Sequence, residues 1–190
     1  MAVQIQMEKM TVADFDRWVL DQDGDYEFIA GEVSAVVSNN YASQVAMVIG
    51  AFLTVFTRQN DLGWVTGADG GYMVSGGRFL PDVGFIRKTR QPQPSRDTYN
   101  PNAPDLAVEV VSPTDSERKL LLKVSTYLAA GTEVWVVYPD VREVHVHRPG
   151  KSATALSTDA TLTSDLLPGF ALPVSAIFPA EDAPASPQGT

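Results

Sequence analysis

The run Leu106-Ala-Val-Glu-Val-Val111 is apolar in both alternating registers except for one carboxylate. It reads as a short strand buried inside a sheet, not as an edge strand with one wet face. The residues after it agree. Thr114-Asp-Ser-Glu117 has the spacing of a capping box, and the helix it opens should run to Ala130 and stop at Gly131. Val134–Tyr138 and the alternating Glu143–Arg148 then read as two further strands. Upstream, Arg78 to Arg87 reads as a strand with Pro81 at its start or at an irregularity. The order strand, loop, strand, helix, strand, strand predicts an α/β (α+β) fold with a mixed sheet flanked by helices.

The N-terminal part adds a helix and a hairpin. Thr11-Val-Ala-Asp14 resembles a helix start, with the helix reaching Leu20. Tyr26–Val37 contains two strands around a turn at Ala30-Gly31. Asn39 or Asn40 caps a helix to about Gln59, whose apolar set is Val45, Val48, Ile49, Phe52 and Phe56. Glycine-rich turns separate short strands near Trp64–Thr66 and Tyr72–Val74. Thr89–Pro104, with four prolines, should be a long exposed loop. At 190 residues the chain suits one domain, over residues 1–178, with a flexible tail over 179–190.

Composition narrows the chemistry. Zero cysteines exclude disulfides, thiolate metal sites and cysteine nucleophiles, and two histidines make histidine-rich zinc sites and most serine–histidine arrangements poor readings. Met1 to Asp25 carries several acids and no apolar core, unlike a signal peptide, so a cytoplasmic protein is expected. The net charge of −9 opposes a nucleic-acid coat protein or a binder of anionic membranes. That charge is uneven. Residues 78–123 hold 8 basic and 6 acidic side chains, a local balance of +2, whereas both flanks are acidic. Surface variation and a localised anion-facing site both account for this.

Two carboxylates, Asp82 and Glu109, lie inside apolar strand patterns. An ionised carboxylate buried there needs a basic partner, hydrogen bonds or a metal ion. Each could simply pair with an arginine. Two converging acids with no histidine nearby also suit a hard, oxygen-seeking cation, Mg2+ or Mn2+. On the next helix, a step of 100° per residue puts Tyr127, Leu120, Val124, Leu128 and Leu121 on one apolar arc. Lys123 falls about 40° outside it, on the rim, where its stem can lie on the core and its ammonium can reach the sheet.

Pro81-Asp82, then Glu109, then a lysine resembles the PD-(D/E)XK nuclease arrangement. More narrowly, the chain resembles the Uma-two family of restriction endonucleases. The pieces occur in order: Tyr26-Glu27 with Gly31-Glu32, Gly70-Gly71, Leu80–Ile86, Pro104–Pro113, Lys123 with Tyr127, Gly131, Val134–Val137 with Pro139, and Leu167-Pro-Gly-Phe170. The resemblance implies a restriction-endonuclease-like core with a metal-dependent phosphodiesterase site acting on DNA. It assigns Asp82 and Glu109 as Mg2+ (or Mn2+) ligands, with the Val110 carbonyl as a further ligand. Lys123 becomes the positive charge beside the reacting phosphate, and Glu27 completes the metal shell or holds Lys123. The lysine departs from the general motif, which expects it two residues after the glutamate. Val111 stands there instead, so the role falls to Lys123 on the helix. Relatives of this kind also imply a homodimer.

Other features stay structural in this reading. His145 and His147 share a strand face without a third ligand, the glycines lack any phosphate-loop motif, and Trp135 belongs to the core. Two further functions remain open: a catalytically silent nucleic-acid-binding or regulatory module on the same scaffold, and a metal hydrolase acting on other substrates.

Overall fold

The computed structural model describes residues 10–36, 38–113 and 116–179. Thr11 caps helix α1 (Val12–Trp18) and forms the reciprocal capping box with Asp14. The hairpin β1 (Tyr26–Ile29) and β2 (Glu32–Ala35) turns at Ala30 and Gly31, with φ of 53° and 87°. Positive φ at both central residues matches the right-handed twist of a two-residue hairpin. Asn39 caps α2 (Asn40–Gln59) by accepting from Ala42 N at 2.8 Å. Next come β3 (Gly63–Thr66), β4 (Gly71–Val74), β5 (Gly77–Phe79), β6 (Val83–Arg87), β7 (Tyr99–Asn100) and β8 (Leu106–Val110). Helix α3 (Glu117–Ala129) leads into β9 (Glu133–Tyr138), β10 (Glu143–His147), β11 (Thr154–Leu156), β12 (Thr161–Leu162) and β13 (Leu172–Pro173).

A six-stranded sheet, in the order β11-β10-β9-β8-β6-β3, carries the core. Its β8–β9 pair is parallel and joined through α3, and its other pairs are antiparallel. The expected mixed sheet with flanking helices is therefore present. Strand β8 is buried along its whole length because both faces are covered. Leu106, Val108 and Val110 join Val45, Ile49 and Leu53 of α2 in one cluster. Ala107 points the other way, into a cluster with Val124 and Tyr127 of α3. Glu109 shares that register, so alternation sends its carboxylate toward α3. A second, five-stranded sheet, β2-β1-β5-β4-β7, packs on the α3 side, with α1 against its outer surface through Phe15 and Phe28.

Four local expectations need correction. Arg78 to Arg87 is not one strand: β5 belongs to the five-stranded sheet and β6 to the six-stranded sheet. Leu80-Pro81-Asp82 makes the passage, as suits a proline that has no N–H to offer a ladder. The two sheets meet closely there, because a Cβ added to Gly84 would lie 2.6 Å from the Tyr72 ring. The proline-rich loop is not wholly exposed. It contains β7, whose two residues are buried, and Gln91 accepts the Trp64 indole N–H at 2.9 Å through its carbonyl. On α2, Phe52 is 45% exposed, and the inward stripe runs through Val45, Ile49 and Leu53 instead. On α3, Leu121 is 68% exposed, so the buried face is rotated toward Lys123. The expected capping box before α3 falls partly on Thr114 and Asp115, outside the described residues. The helix begins at Glu117 with Ser116 as its N-cap, and Ser116 makes no side-chain capping bond. The tail beyond Pro179 also lies outside the described residues.

Candidate active site

Four elements deliver charged groups to one place. Glu27 comes from β1, Asp82 from the passage between the sheets, Glu109 from β8 and Lys123 from α3. Together with Val110 they line a cavity of about 350 Å³ at the seam between the two sheets. Every side chain that the sequence nominated for catalysis is thus brought together.

Lys123 is the hub. Its Nζ donates to Glu109 Oε2 at 2.7 Å and lies 2.9 Å from Glu27 Oε1. The three side chains are 13%, 9% and 8% exposed, so this is a buried ion chain and not a surface pair. The rotation of α3 explains how the lysine reaches them: it stands inside the buried face, where the two acids can hold its ammonium. Burial works against that charge, but Glu109 and then Glu27 outweigh it and raise the lysine above its ordinary pKa.

Glu27 does a second job. Its Oε1 also accepts the backbone N–H of Leu80 at 2.8 Å, tying β1 to the residue just before Pro81-Asp82. Asp82 Oδ2 in turn accepts the N–H of Val110 at 2.6 Å, so the carboxylate is fastened to the strand that carries Glu109. In an extended strand a residue's N–H and C=O leave on the same side. The Val110 carbonyl therefore faces the Asp82 side as well.

The charges in the cavity do not balance. Glu27, Asp82 and Glu109 bring three carboxylates and Lys123 one internal ammonium, with Lys119 further out on the lining. Burial pushes Glu109 above the ordinary carboxylate range, against the pull of Lys123, and Glu27 and Asp82 add to the rise. A cation beside it would reverse that push. Glu109 Oε1 is buried without a hydrogen-bond partner. Among the described residues no three acidic or histidine side chains form a group that could hold a metal. The available donors are two carboxylates and a main-chain carbonyl. All are hard oxygens, one carboxylate oxygen accepts no hydrogen bond of normal geometry, and the local charge is negative, so the set suits a hard, oxygen-seeking cation such as Mg2+ or Mn2+.

Tyr127 was assigned to the core stripe and also forms a wall of this site. Its hydroxyl is buried without a hydrogen bond of normal geometry, although Glu109 is near enough to act on it. Burial first, and then Glu109 and Glu27, raise the phenol well above its usual pKa. The clue in the sequence was its position one helical turn after Lys123.

The basic middle stretch largely resolves into structural pairs. Arg87 and Arg90 both engage the buried Asp105, at 2.7 and 3.2 Å. Lys88 pairs with Asp61, Arg78 with Asp16, and Arg118 lies 3.9 Å from Glu32. Of the eight basic residues, only Lys119 and Lys123 line the cavity. His145 sits 3.1 Å from Glu143 and contributes nothing to this site.

The architecture is that of a nuclease scaffold. The chain belongs to the Uma2 family, described as "putative restriction endonuclease", whose model matches residues 12–175. Among solved structures it is similar to "a putative nuclease belonging to DUF820" from Anabaena variabilis. The two share 18% identity with a TM-score of 0.77, over 88% of this chain and 97% of that one. No curated protein matches the chain.

Proposed function

We propose that this protein is a metal-dependent DNA endonuclease that hydrolyses phosphodiester bonds in the cavity between Asp82, Glu109 and Lys123. One observation carries the reading: a lysine from the helix after β8 reaches Glu109 at 2.7 Å. This supplies the third element of the nuclease constellation although Val111 occupies the usual lysine position. Asp82, Glu109 and the Val110 carbonyl would hold Mg2+ or Mn2+. When bound, such an ion supplies Lewis-acid stabilisation of charge on the reacting phosphate and lowers the pKa of water.

The protein's own groups have separable roles. Lys123, held protonated by two acids, is a cation and hydrogen-bond donor toward a phosphate oxygen, not a base. Glu27 is a positioning residue that orients Lys123 and anchors Leu80, thereby fixing the approach to Asp82. The hydrogen bond from Val110 N–H to Asp82 keeps the two acidic strand ends in register.

Purified protein should nick or cut plasmid or single-stranded DNA in Mg2+ or Mn2+, and Glu109→Gln and Asp82→Asn should each lower the rate at least about 100-fold. Cleavage that persists unchanged in both variants would sink the assignment. One observation favours a silent binding module: among the described residues only two basic side chains line the cavity. Wild-type protein that binds DNA and Mn2+ but never cuts would establish that second reading.

A further inference from the structure

Helix α2 has two apolar faces, and only one is covered. Its inward stripe, including Val45, Ile49 and Leu53, is packed on the six-stranded sheet. At 100° per residue, Tyr41, Gln44, Val48, Ala51, Phe52 and Val55 fall together on the outer side, with Met47 at the margin. Tyr41 is 42% exposed, Met47 72%, Phe52 45% and Val55 56%. A helix that is apolar all round is ordinarily buried all round. Furthermore, residues 33–57 contain no charged side chain at all, in a chain whose net charge is −9.

We propose that the outer face of α2 is the contact between two copies of this chain, packed helix against helix across a two-fold axis. Charge selects this occupant. Two copies of an acidic protein repel each other over most of their surface, and α2 offers a face on which they can meet without opposing charges. A nucleic acid or an anionic membrane would find no lysine or arginine between Val33 and Thr57 to hold it.

Shape agrees. The ridge of Ala51 and Val55 has a groove on each side. One, of about 400 Å³, is walled by Phe52, Phe56 and Phe170; the other, of about 520 Å³, runs from Met47 and Val55 to Asp82. A ridge beside its own groove is self-complementary under a two-fold, as an isologous interface requires. A 20-residue helix is about 30 Å long, and with both grooves it offers on the order of 700 Å² per protomer, near the standard size for a stable interface. Because one groove ends at Asp82, the partner helix would border the catalytic cavity.

The test reads mass, so it stands or falls apart from the nuclease reading. Sedimentation velocity of the full chain should show a dimer at concentrations up to roughly 100 µM. Met47→Glu with Val55→Glu, at positions exposed in the monomer, should weaken association at least about 100-fold while leaving the circular dichroism unchanged. Should that pair disturb folding, Ala51→Cys gives an independent reading: the chain has no native cysteine, so a short bis-maleimide, which spans more than a disulfide can, should link two copies through this residue alone. Wild-type protein that stays monomeric overturns the proposal, as does a dimer untouched by the glutamates, or Ala51→Cys protein that does not cross-link. A monomer retained on phosphatidylcholine vesicles would assign the face to lipid and likewise overturn it.

Discussion

Removing the Lys123 ammonium would leave Glu27 and Glu109 facing each other at less than a tenth exposure. Breaking a buried ion pair from one side typically costs about 3–5 kcal/mol, because the surviving charges keep their desolvation penalty. Lys123→Met should therefore lower unfolding free energy by that amount in urea titrations, although methionine fills a similar volume. Adding Glu27→Gln and Glu109→Gln to it should restore much of the loss. A loss below about 1 kcal/mol for Lys123→Met would mean that water reaches the acids more freely than their burial indicates. The effect on cleavage is separate: the triple variant should be stable and inactive, which distinguishes a chemical role for these groups from a merely structural one.

At the scale of elements, the N-terminal hairpin holds Glu27 in place through a turn that is not optimal. Ala30 adopts φ of 53°, a left-handed conformation in which its Cβ crowds the following carbonyl. Ala30→Asn keeps the turn and suits that conformation better. It should add about 0.5–1 kcal/mol and raise the melting temperature by about 2 °C, read by differential scanning calorimetry. An unchanged or lower melting temperature would show that the turn is not strained by alanine. The same elements separate what sequence reveals from what only packing decides. The unit β8, α3, β9 was legible because its strands are apolar in both registers and its helix ends at a glycine. The turn at Ala30-Gly31 and the Asn39 cap were legible because local chemistry decides them. The break at Pro81 was only half legible: proline announces an irregularity, but which sheet receives each half depends on β1 and β8. The rotation of α3 was not legible either. It sets Leu121 outward to bring Lys123 inward, and one of the two acids that hold the lysine, Glu27, comes from the distant strand β1.

For the whole molecule, charge sets how the proposed DNA substrate would be held. The sequence shows a non-acidic middle, but it cannot show that Asp105, Asp61 and Asp16 claim four of its eight cations. If DNA binds there as proposed, Lys119 and Lys123, the only basic groups among the described residues on the cavity lining, would neutralise about two phosphates. A plot of log affinity against log salt should then have a slope near −2 for duplex DNA, far shallower than that of a coat protein. Fluorescence anisotropy with Ca2+ in place of Mg2+ measures it without turnover. A slope steeper than about −5 would require a second basic surface, for example one completed by a partner copy.

The sharing of one lysine by two buried acids also has a consequence for how such a gene can decay. On the proposed reading, single-step loss of Lys123 exposes the protein to unfolding as well as inactivity, so drift does not pass quietly through that change. A lineage abandoning cleavage has a gentler first step in Asp82→Asn, whose amide oxygen can still accept the Val110 N–H without the charge. Silent descendants of this scaffold should accordingly keep the Glu27–Lys123–Glu109 chain and lack the aspartate, so the order of loss is written into the wiring of the site.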